Sequence, residues 1–210
     1  MAGGGSSGAG VIFSYYPSTS TYTKLKDFNC TDVVSKDGSL SLMQANDGKL
    51  YGIQCHGGSR NDGVNFSFEP NTSTYKQLKN FDDTNGRNPI GSLIQASDGK
   101  LYGMTSQGGT NDAGVVFSFD PLSSTYTKLK DFDYTNGEGA NPYGSLMQAS
   151  DGKLYGMTYY GGGFRISGVI FSFDPSSSTY TKLKDLGDKN GVNPFGSLMQ
   201  ASDGKLYGIT

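Results

Sequence analysis

The sequence predicts an all-β protein, specifically a β-propeller of four-stranded antiparallel blades. The first observation is internal repetition, because one segment begins at Gly10, Gly63, Gly114 and Gly168, at intervals of 53, 51 and 54 residues. Each unit holds four short stretches of alternating apolar and polar residues, and no segment keeps a helical period. Gly contributes 32 of the 210 residues, about twice its usual share, and aromatic residues contribute 12%. Four strands in about 52 residues, repeated along the chain, are typical of propeller blades.

The first two strands of each unit, strands a and b, are expected to form a hairpin. Strand a is Ser-Leu-Met-Gln-Ala and strand b is Lys-Leu-Tyr-Gly-Met-Thr, as seen within residues 145–158. The Asp-Gly pair between them predicts a two-residue turn, because Gly accepts a positive φ and such a turn matches the twist of the strands. The Asp of this pair recurs as Asp47, Asp98, Asp151 and Asp203.

The third and fourth strands, c and d, differ in polarity. Strand c is Val-Ile-Phe-Ser-Phe, whose alternation places three large apolar residues on one face, and we expect this face to be buried between blades. The expected core residues are Val11, Phe13, Phe66, Phe68, Val115, Phe117, Phe119, Val169, Phe171 and Phe173. A Pro follows strand c, and strand d, Tyr-Thr-Lys-Leu-Lys-Asp, is more polar and therefore suits the outer edge of a blade.

The repeats describe one domain over residues 1–210. Its parts are a c/d half-blade at 10–28, repeats at about 39–81, 90–132 and 143–186, and an a/b half-blade at 196–210. Because the half-blades supply complementary strands, we expect them to pair as one blade shared between the N- and C-termini, which gives a monomeric ring of four blades. Alternatively, the sequence is a piece of a longer array, or half-blades pair between chains and form an oligomer or fibre.

The repeated motifs resemble those of a known family. The order Gly-Ser-Leu-Met-Gln-Ala, Lys-Leu-Tyr-Gly, Gly-Gly, Phe-Ser-Phe-Asp-Pro and Thr-Tyr-Thr-Lys-Leu resembles a kelch repeat, although strand d carries Tyr where kelch repeats have Trp. Asp-Gly-Lys-Leu-Tyr-Gly-Met-Thr and Val-Phe-Ser-Phe-Asp-Pro are more specifically similar to the Gloeo-Verruco (GloVer) tandem repeats of bacterial surface proteins. The resemblance covers essentially the whole chain and implies a propeller at the cell surface or outside the cell. Export rests on the resemblance alone, because residues 1–9 lack the features of a signal peptide.

Composition argues against several classes of function. Lys and Arg number 17 against 19 Asp and Glu, with no basic block, so binding to nucleic acid is not expected. No apolar run is long enough to insert in a membrane. A single His supports neither a multi-His metal centre nor a catalytic triad, so we expect no catalytic residues, no metal and no cofactor. Asn- and Asp-rich turns are read as turn formers, with calcium binding as the alternative. A glycan-active enzyme remains the less favoured alternative, because acidic pairs in the loops suit a glycosidase in principle.

Sequence variation concentrates in the b–c and d–a loops, which a propeller places on one face. These loops hold every Arg, the single His and the aromatic residues that do not repeat, and variable loops on a rigid scaffold are where binding sites usually lie. Aromatic rings with amide and charged neighbours suit a carbohydrate or protein ligand. The candidate ligand-binding residues are His56, Arg60, Arg87, Tyr134, Tyr159, Tyr160, Phe164 and Arg165. The alternative interpretation is that the loops have drifted and the rings pack on neighbouring blades.

Two Cys residues, Cys30 and Cys55, fall in loops of the same unit and on the same expected face. A disulfide between them would close a loop of about 25 residues and contribute about 3 kcal/mol. Two unrelated thiols are the alternative.

Overall fold

The computed structural model describes residues 4–6, 8, 10–28, 40–163, 167–187, 189 and 191–210. These residues form sixteen β-strands and no helix, so they include no helix of the length and apolarity needed to cross a membrane. The strands are β1 Val11–Tyr16, β2 Thr21–Asp27, β3 Leu40–Gln44, β4 Leu50–Gln54, β5 Val64–Glu69, β6 Thr74–Asn80, β7 Ile94–Gln95, β8 Leu101–Thr105, β9 Val115–Asp120, β10 Thr125–Asp131, β11 Met147–Gln148, β12 Leu154–Thr158, β13 Val169–Asp174, β14 Thr179–Asp185, β15 Met199–Gln200 and β16 Leu206–Tyr207.

The strands form five separate antiparallel sheets. Three are complete four-stranded blades in the order a-b-c-d, which we call blade 1 (β3–β6), blade 2 (β7–β10) and blade 3 (β11–β14). The other two are hairpins, the N half-blade (β1–β2) and the C half-blade (β15–β16). The all-β fold of repeated four-stranded antiparallel blades, with strand d at the edge, is confirmed.

Each a–b hairpin is held by its own Asp. In blade 2, Asp98 accepts hydrogen bonds from the Lys100 amide (3.1 Å) and the Tyr102 hydroxyl (2.7 Å). The hairpin closes where the Ala96 amide donates to the Lys100 carbonyl at 2.9 Å, and Gly99 lies at φ +82°. Three residues therefore separate the paired positions, so the expected two-residue turn is wrong. The reason is that the carboxylate and the left-handed Gly together stabilise a turn one residue longer.

Neighbouring blades pack through a recurring group of three rings. Phe81, just after strand d of blade 1, lies 5.3 Å from Phe117 and 6.0 Å from Tyr126 of blade 2, measured between ring centroids. Phe117 and Tyr126 themselves stack at 5.2 Å. The same arrangement recurs in Phe28, Phe66 and Tyr75 and in Phe132, Phe171 and Tyr180. Equivalent apolar interfaces therefore join the blades to one another in chain order.

Polar bonds also join the blades at their a–b turns. The Ser97 amide of blade 2 donates to Gln148 Oε1 of blade 3 at 2.8 Å, and Gln148 Nε2 donates to the Gly152 carbonyl of its own turn at 2.8 Å. The same bond between blades joins Asn46 to Gln95 and Ser150 to Gln200. Each strand-a Gln thus fixes the spacing between two successive turns.

The core of the first unit differs from the expectation. Phe13 is 55% exposed and Val11 is only half-buried, whereas the other eight expected core residues are buried. Among the described residues the two half-blades form separate sheets, so the expected blade shared between them is not observed, and a ring of four blades stays a prediction. The exposure of Phe13 has a simple cause. Strand c is covered on this face by the preceding blade, and no blade precedes β1 in the described residues.

Candidate functional site

The b–c and d–a loops lie together on one face, which we call the loop face. Asn141 connects loops of neighbouring blades: its amide N–H donates to the Ala113 carbonyl at 2.8 Å and its Nδ2 donates to the Ser106 carbonyl at 2.6 Å. Asn141 precedes a Pro and has a φ of +51°, a left-handed conformation that Asn enters more readily than most residues. Asn88 and Asn193 share this position and nearly the same φ, +52°. The loops of the face are therefore anchored to a rigid framework.

A cavity of about 240 Å³, the His56 cavity, opens on this face between blades 1, 2 and 3. It is lined by Cys55, His56, Asn88, Ile90, Ser106, Gln107 and Tyr143. Asn88 Nδ2 donates to Gln107 Oε1 at 2.5 Å, and the Ser106 hydroxyl donates to the Asn88 carbonyl at 2.8 Å. His56 Nδ1 is buried and has no hydrogen-bond partner among the described residues. The cavity therefore combines an apolar wall with a ring nitrogen that can still form a hydrogen bond.

Five aromatic rings beside this cavity form a continuous group, which we call the aromatic ledge. Its members are Tyr134, Tyr143, Tyr159, Tyr160 and Phe195. Tyr143 and Phe195 stack at 4.8 Å with 14° between their planes, and Tyr159 meets both of them edge-on at 5.0 and 5.1 Å. Tyr160 lies 4.6 Å from Tyr159 and 6.3 Å from Tyr134. The rings come from three successive loops, and Phe195 leaves 65% of its surface in solvent.

Two phenol groups of the ledge, those of Tyr134 and Tyr143, stay uncharged. Burial raises the pKa of Tyr134 above its ordinary value, and the hydroxyl donates a hydrogen bond to Asn141 Oδ1. Burial also raises the pKa of Tyr143, with a further contribution from the neighbouring Tyr160 and Tyr159. These hydroxyls therefore act as neutral hydrogen-bonding groups at any physiological pH.

A second cavity of about 270 Å³ lies at the other end of the ledge. Its walls are Tyr134, Thr135, Asn136, Gly137, Gly162, Gly163 and Lys182. Tyr143 lines the His56 cavity and Tyr134 lines this one. The ledge therefore joins the two cavities into one extended surface.

The two arginines in the described residues form ion pairs. Arg87 Nη2 contacts Asp112 at 3.0 Å, and Arg87 Nε lies 3.2 Å from Asp83. Arg60 Nη2 lies 3.9 Å from the other oxygen of Asp83. Two positive and two negative groups thus balance one another at the rim of the loop face, where such exposed pairs contribute little to stability.

The structure brings some of the sequence-predicted site residues together. Tyr134, Tyr159 and Tyr160 share the ledge, His56 lines the adjacent cavity, and Arg60 and Arg87 belong to the ion-pair group. Phe164, Arg165 and Cys30 lie outside the described residues, so the Cys30–Cys55 disulfide stays a prediction.

Sequence reasoning left Tyr143 and Phe195 out of the candidate site. A signal for them existed, because Ile90, Tyr143 and Phe195 occupy the same position in the repeat, between Pro and Gly. Equivalent positions in successive blades line up side by side in the fold, so an aromatic residue in two neighbouring units indicates a stack. Asn88 and Gln107 of the His56 cavity gave no comparable signal.

The opposite face carries a cavity of about 310 Å³ between the a–b turns of blades 2 and 3 and the c–d turn of blade 3. Its walls include Asp98, Asp151 and Asp174, together with Gln148 and turn residues. Asp98 and Asp151 belong to the repeated turn, where each already accepts bonds from its own Lys amide and Tyr hydroxyl. Among the described residues no group of three or more His, Cys, Asp and Glu side chains is arranged to hold a metal ion. This cavity is therefore a by-product of the repeat rather than a distinctive site.

Comparison with known proteins places the fold. A family model described as the Gloeobacter/Verrucomicrobia repeat matches residues 1–210. No curated protein sequence matches the chain at a significant level.

The solved structures that are similar to this chain include the following three. One is the extracellular domain of a one-component system from B. thetaiotaomicron, with a TM-score of 0.64 and 10% identity over 97% of this chain and 24% of that chain. TolB from Acinetobacter baumannii gives a TM-score of 0.53 and 15% identity over 83% of this chain and 38% of that chain. A nidogen/laminin complex gives a TM-score of 0.53 and 13% identity over 86% of this chain and 56% of that chain. This chain therefore spans only part of each of these structures, and the likeness shows a shared β-propeller-like fold.

Proposed function

We propose that this chain, which belongs to the Gloeobacter/Verrucomicrobia repeat family, is a non-catalytic scaffold that binds a saccharide on the aromatic ledge of its loop face. The single observation that carries the proposal is the ledge itself, in which five rings from three loops meet between two cavities. Rigid blades hold these loops, as binding loops on other rigid scaffolds are held.

The chemistry of the ledge suits a sugar ring. The exposed face of an aromatic ring is electron-rich and attracts the C–H groups on the apolar face of a saccharide. Phe195 and Tyr143 stack nearly parallel, with ring centroids 4.8 Å apart, and Phe195 leaves 65% of its surface in solvent, where a sugar residue could pack on its ring. Neutral hydrogen-bonding groups stand beside it, including the Tyr134 hydroxyl and the Gln107 amide. Neighbouring sugar residues of an oligosaccharide would reach the two cavities.

We further propose that the protein works outside a bacterial cell. The family resemblance supports this location, and so does the fold shared with the extracellular domain of the B. thetaiotaomicron system. A saccharide-binding surface fits such a location, because extracellular polysaccharides are the polymers that it would meet there.

A glycan array probed with the wild-type chain tests the proposal. Phe195→Ala removes an exposed ring whose aromatic contacts, among the described residues, are all with other members of the ledge. We therefore expect the fold to survive and binding to weaken about tenfold, which corresponds to about 1.4 kcal/mol. The double variant Tyr159→Ala/Tyr160→Ala should abolish binding. Leu122→Ala is the matched control, because Leu122 is 95% exposed in a c–d turn on the opposite face.

The outcomes separate the possibilities. Equal binding by the wild type and by Phe195→Ala, at equal thermal stability, would place the saccharide site elsewhere. Weaker binding by Leu122→Ala would move the site to the opposite face. A wild type that captures a protein but no glycan would replace the saccharide with a protein ligand.

A further inference from the structure

The His56 cavity lies at repeat positions where the neighbouring unit carries rings of the ledge. Two of these positions directly follow strand b, and they hold Cys55 and His56 in blade 1, Ser106 and Gln107 in blade 2, and Tyr159 and Tyr160 in blade 3. The third position lies between Pro and Gly of the d–a loop, and successive units hold Ile90, Tyr143 and Phe195 there. The smaller side chains of these series line the cavity together with Tyr143, and the phenol and phenyl rings form the ledge.

The backbone is bonded in the same way at both places, so the cavity arises from the side chains. The Ser106 amide donates to the Asn88 carbonyl at 3.0 Å beside the cavity, and the Tyr159 amide donates to the Asn141 carbonyl at 3.1 Å beside the ledge. A volume of about 240 Å³ is therefore left where the repeat carries Ile, Ser and Gln instead of rings. Tyr143 belongs to both the cavity and the ledge, so a ligand on the ledge has direct access to this volume.

The cavity combines hydrogen-bonding groups with an apolar wall, and none of the described residues that line it is Asp, Glu, Lys or Arg. His56 Nδ1 is buried without a hydrogen-bond partner among the described residues, and a nitrogen of a neutral imidazole either donates or accepts such a bond. Gln107 Oε1 already accepts a bond from Asn88 Nδ2 at 2.5 Å, so the group that this amide still offers to a ligand is the Nε2 donor. Ile90 and the ring of Tyr143 supply the apolar wall.

These groups match an acetamido substituent of a sugar better than they match the other common substituents. The acetamido methyl group suits the apolar wall, its carbonyl oxygen suits the Gln107 Nε2 donor, and its N–H suits His56 Nδ1 as an acceptor. A hydroxyl has no methyl group to cover the side chain of Ile90. A carboxylate would lose its water here without a Lys or Arg among the described lining residues to replace it, and such a desolvation is costly.

We propose that the saccharide bound on the ledge is N-acetylated, and that one of its acetamido groups occupies the His56 cavity. The sugar ring that carries this group packs beside Tyr143, the residue that the ledge and the cavity share. The acetamido group reaches the cavity only if the ledge holds the sugar, so the proposal rests on the function proposed above. The class of ligand is then an oligosaccharide that contains N-acetylhexosamine.

A set of trisaccharides with identical linkage and one differing substituent tests this specificity. The set consists of the trimers of N-acetylglucosamine, glucosamine and glucose. Titration calorimetry with the wild-type chain should give an affinity for the N-acetylated trimer about tenfold above that for the glucose trimer, because a buried methyl group and new hydrogen bonds add to the stacking. Saturation-transfer NMR should label the acetyl methyl protons more strongly than the ring protons, because the cavity encloses the methyl group.

Ile90→Tyr is the matched variant, because Tyr143 holds the same position in the next unit and the fold accepts a ring there. It fills the cavity and leaves the ledge intact, so the preference for the N-acetylated trimer should disappear while the glucose trimer binds as before. His56→Phe keeps a ring but removes Nδ1, and should reduce the preference by about threefold or more. Phe195→Ala should weaken both trimers by the same factor, and Leu122→Ala should change neither, because Leu122 lies in an exposed turn on the opposite face.

The outcomes distinguish the specificity from the proposed function. A wild type that binds the N-acetylated and glucose trimers equally, with both weakened by Phe195→Ala, would overturn the N-acetyl specificity and leave saccharide binding on the ledge in place. A glucosamine trimer bound as tightly as the N-acetylated one would overturn it too, because an amine carries neither the methyl group nor the carbonyl. If Ile90→Tyr does not fold, an unchanged preference in His56→Phe would overturn the proposal. Binding of no trimer and of no glycan on the array would overturn both the specificity and the proposed function.

Discussion

Removing the ring of Phe117 should destabilise the protein more than almost any other single truncation. Phe117 is fully buried at the interface of blades 1 and 2, where it contacts Phe81 and Tyr126 and lies over Gly103. Phe117→Ala leaves a cavity that these neighbours cannot easily fill, because each ring is fixed in its own strand or hairpin.

The size of the effect follows from the volume and surface that are lost. An emptied ring leaves on the order of 100 Å³, which costs about 2.4 kcal/mol at about 24 cal/mol per Å³ if nothing collapses. The lost transfer of the ring out of water adds about 2 kcal/mol. With partial collapse we expect the free energy of unfolding to fall by about 3–5 kcal/mol, the range seen for buried Phe→Ala changes.

Urea unfolding followed by circular dichroism measures this free energy. For a chain of this length the corresponding drop in melting temperature is about 6–20 °C. Leu122→Ala is the control and should stay within about 0.5 kcal/mol of the wild type, because Leu122 is almost wholly exposed.

A result within about 1 kcal/mol of the wild type for Phe117→Ala would refute the reasoning. It would mean that the interface between blades 1 and 2 does not bury this ring in solution, and the argument for the equivalent rings of the other interfaces would then fail as well.

Two further predictions concern polar groups. Tyr126→Phe removes a hydroxyl that donates a hydrogen bond to the Asn85 carbonyl at 2.6 Å. The free energy of unfolding measured in urea should therefore fall by about 1–3 kcal/mol. A variant as stable as the wild type would contradict the role of this bond. Burial alone would raise the pKa of Asp131, but hydrogen bonds from the Thr110 amide and the Lys128 ammonium outweigh it and hold the pKa below its usual range. Since an unfolded Asp titrates near about 3.9, this stabilisation is present above about pH 4 and is lost as the pH falls through the folded pKa. Asp131→Asn should therefore be less stable than the wild type at neutral pH and approach it in acid, and a difference that does not vary with pH would argue against the ion pair.

The candidate site could be predicted only in part. Its face followed from the sequence, because a contrast between repeated turns and variable loops is visible without coordinates. Which residues form the site could not be predicted from the sequence, because a ring belongs to the ledge only if loops of two neighbouring blades bring it there. Tyr143 and Phe195 are far apart in the chain and stack at 4.8 Å. Arg87 shows the converse, because its sequence position indicates a ligand contact while its nearest charges are Asp83 and Asp112.

Local sequence was sufficient to specify the strands, their order within a blade and the position of each hairpin turn, although not the length of that turn. Each of these depends on residues within one unit, such as the Asp98 carboxylate that binds its own Lys100 and Tyr102. Tertiary structure alone decided which faces of the blades are covered. Phe13 and Phe117 stand at the same position of the repeat, yet one is 55% exposed and the other is fully buried. The difference arises because burial depends on the adjacent blade, and a residue's own repeat carries no information about whether that neighbour is present.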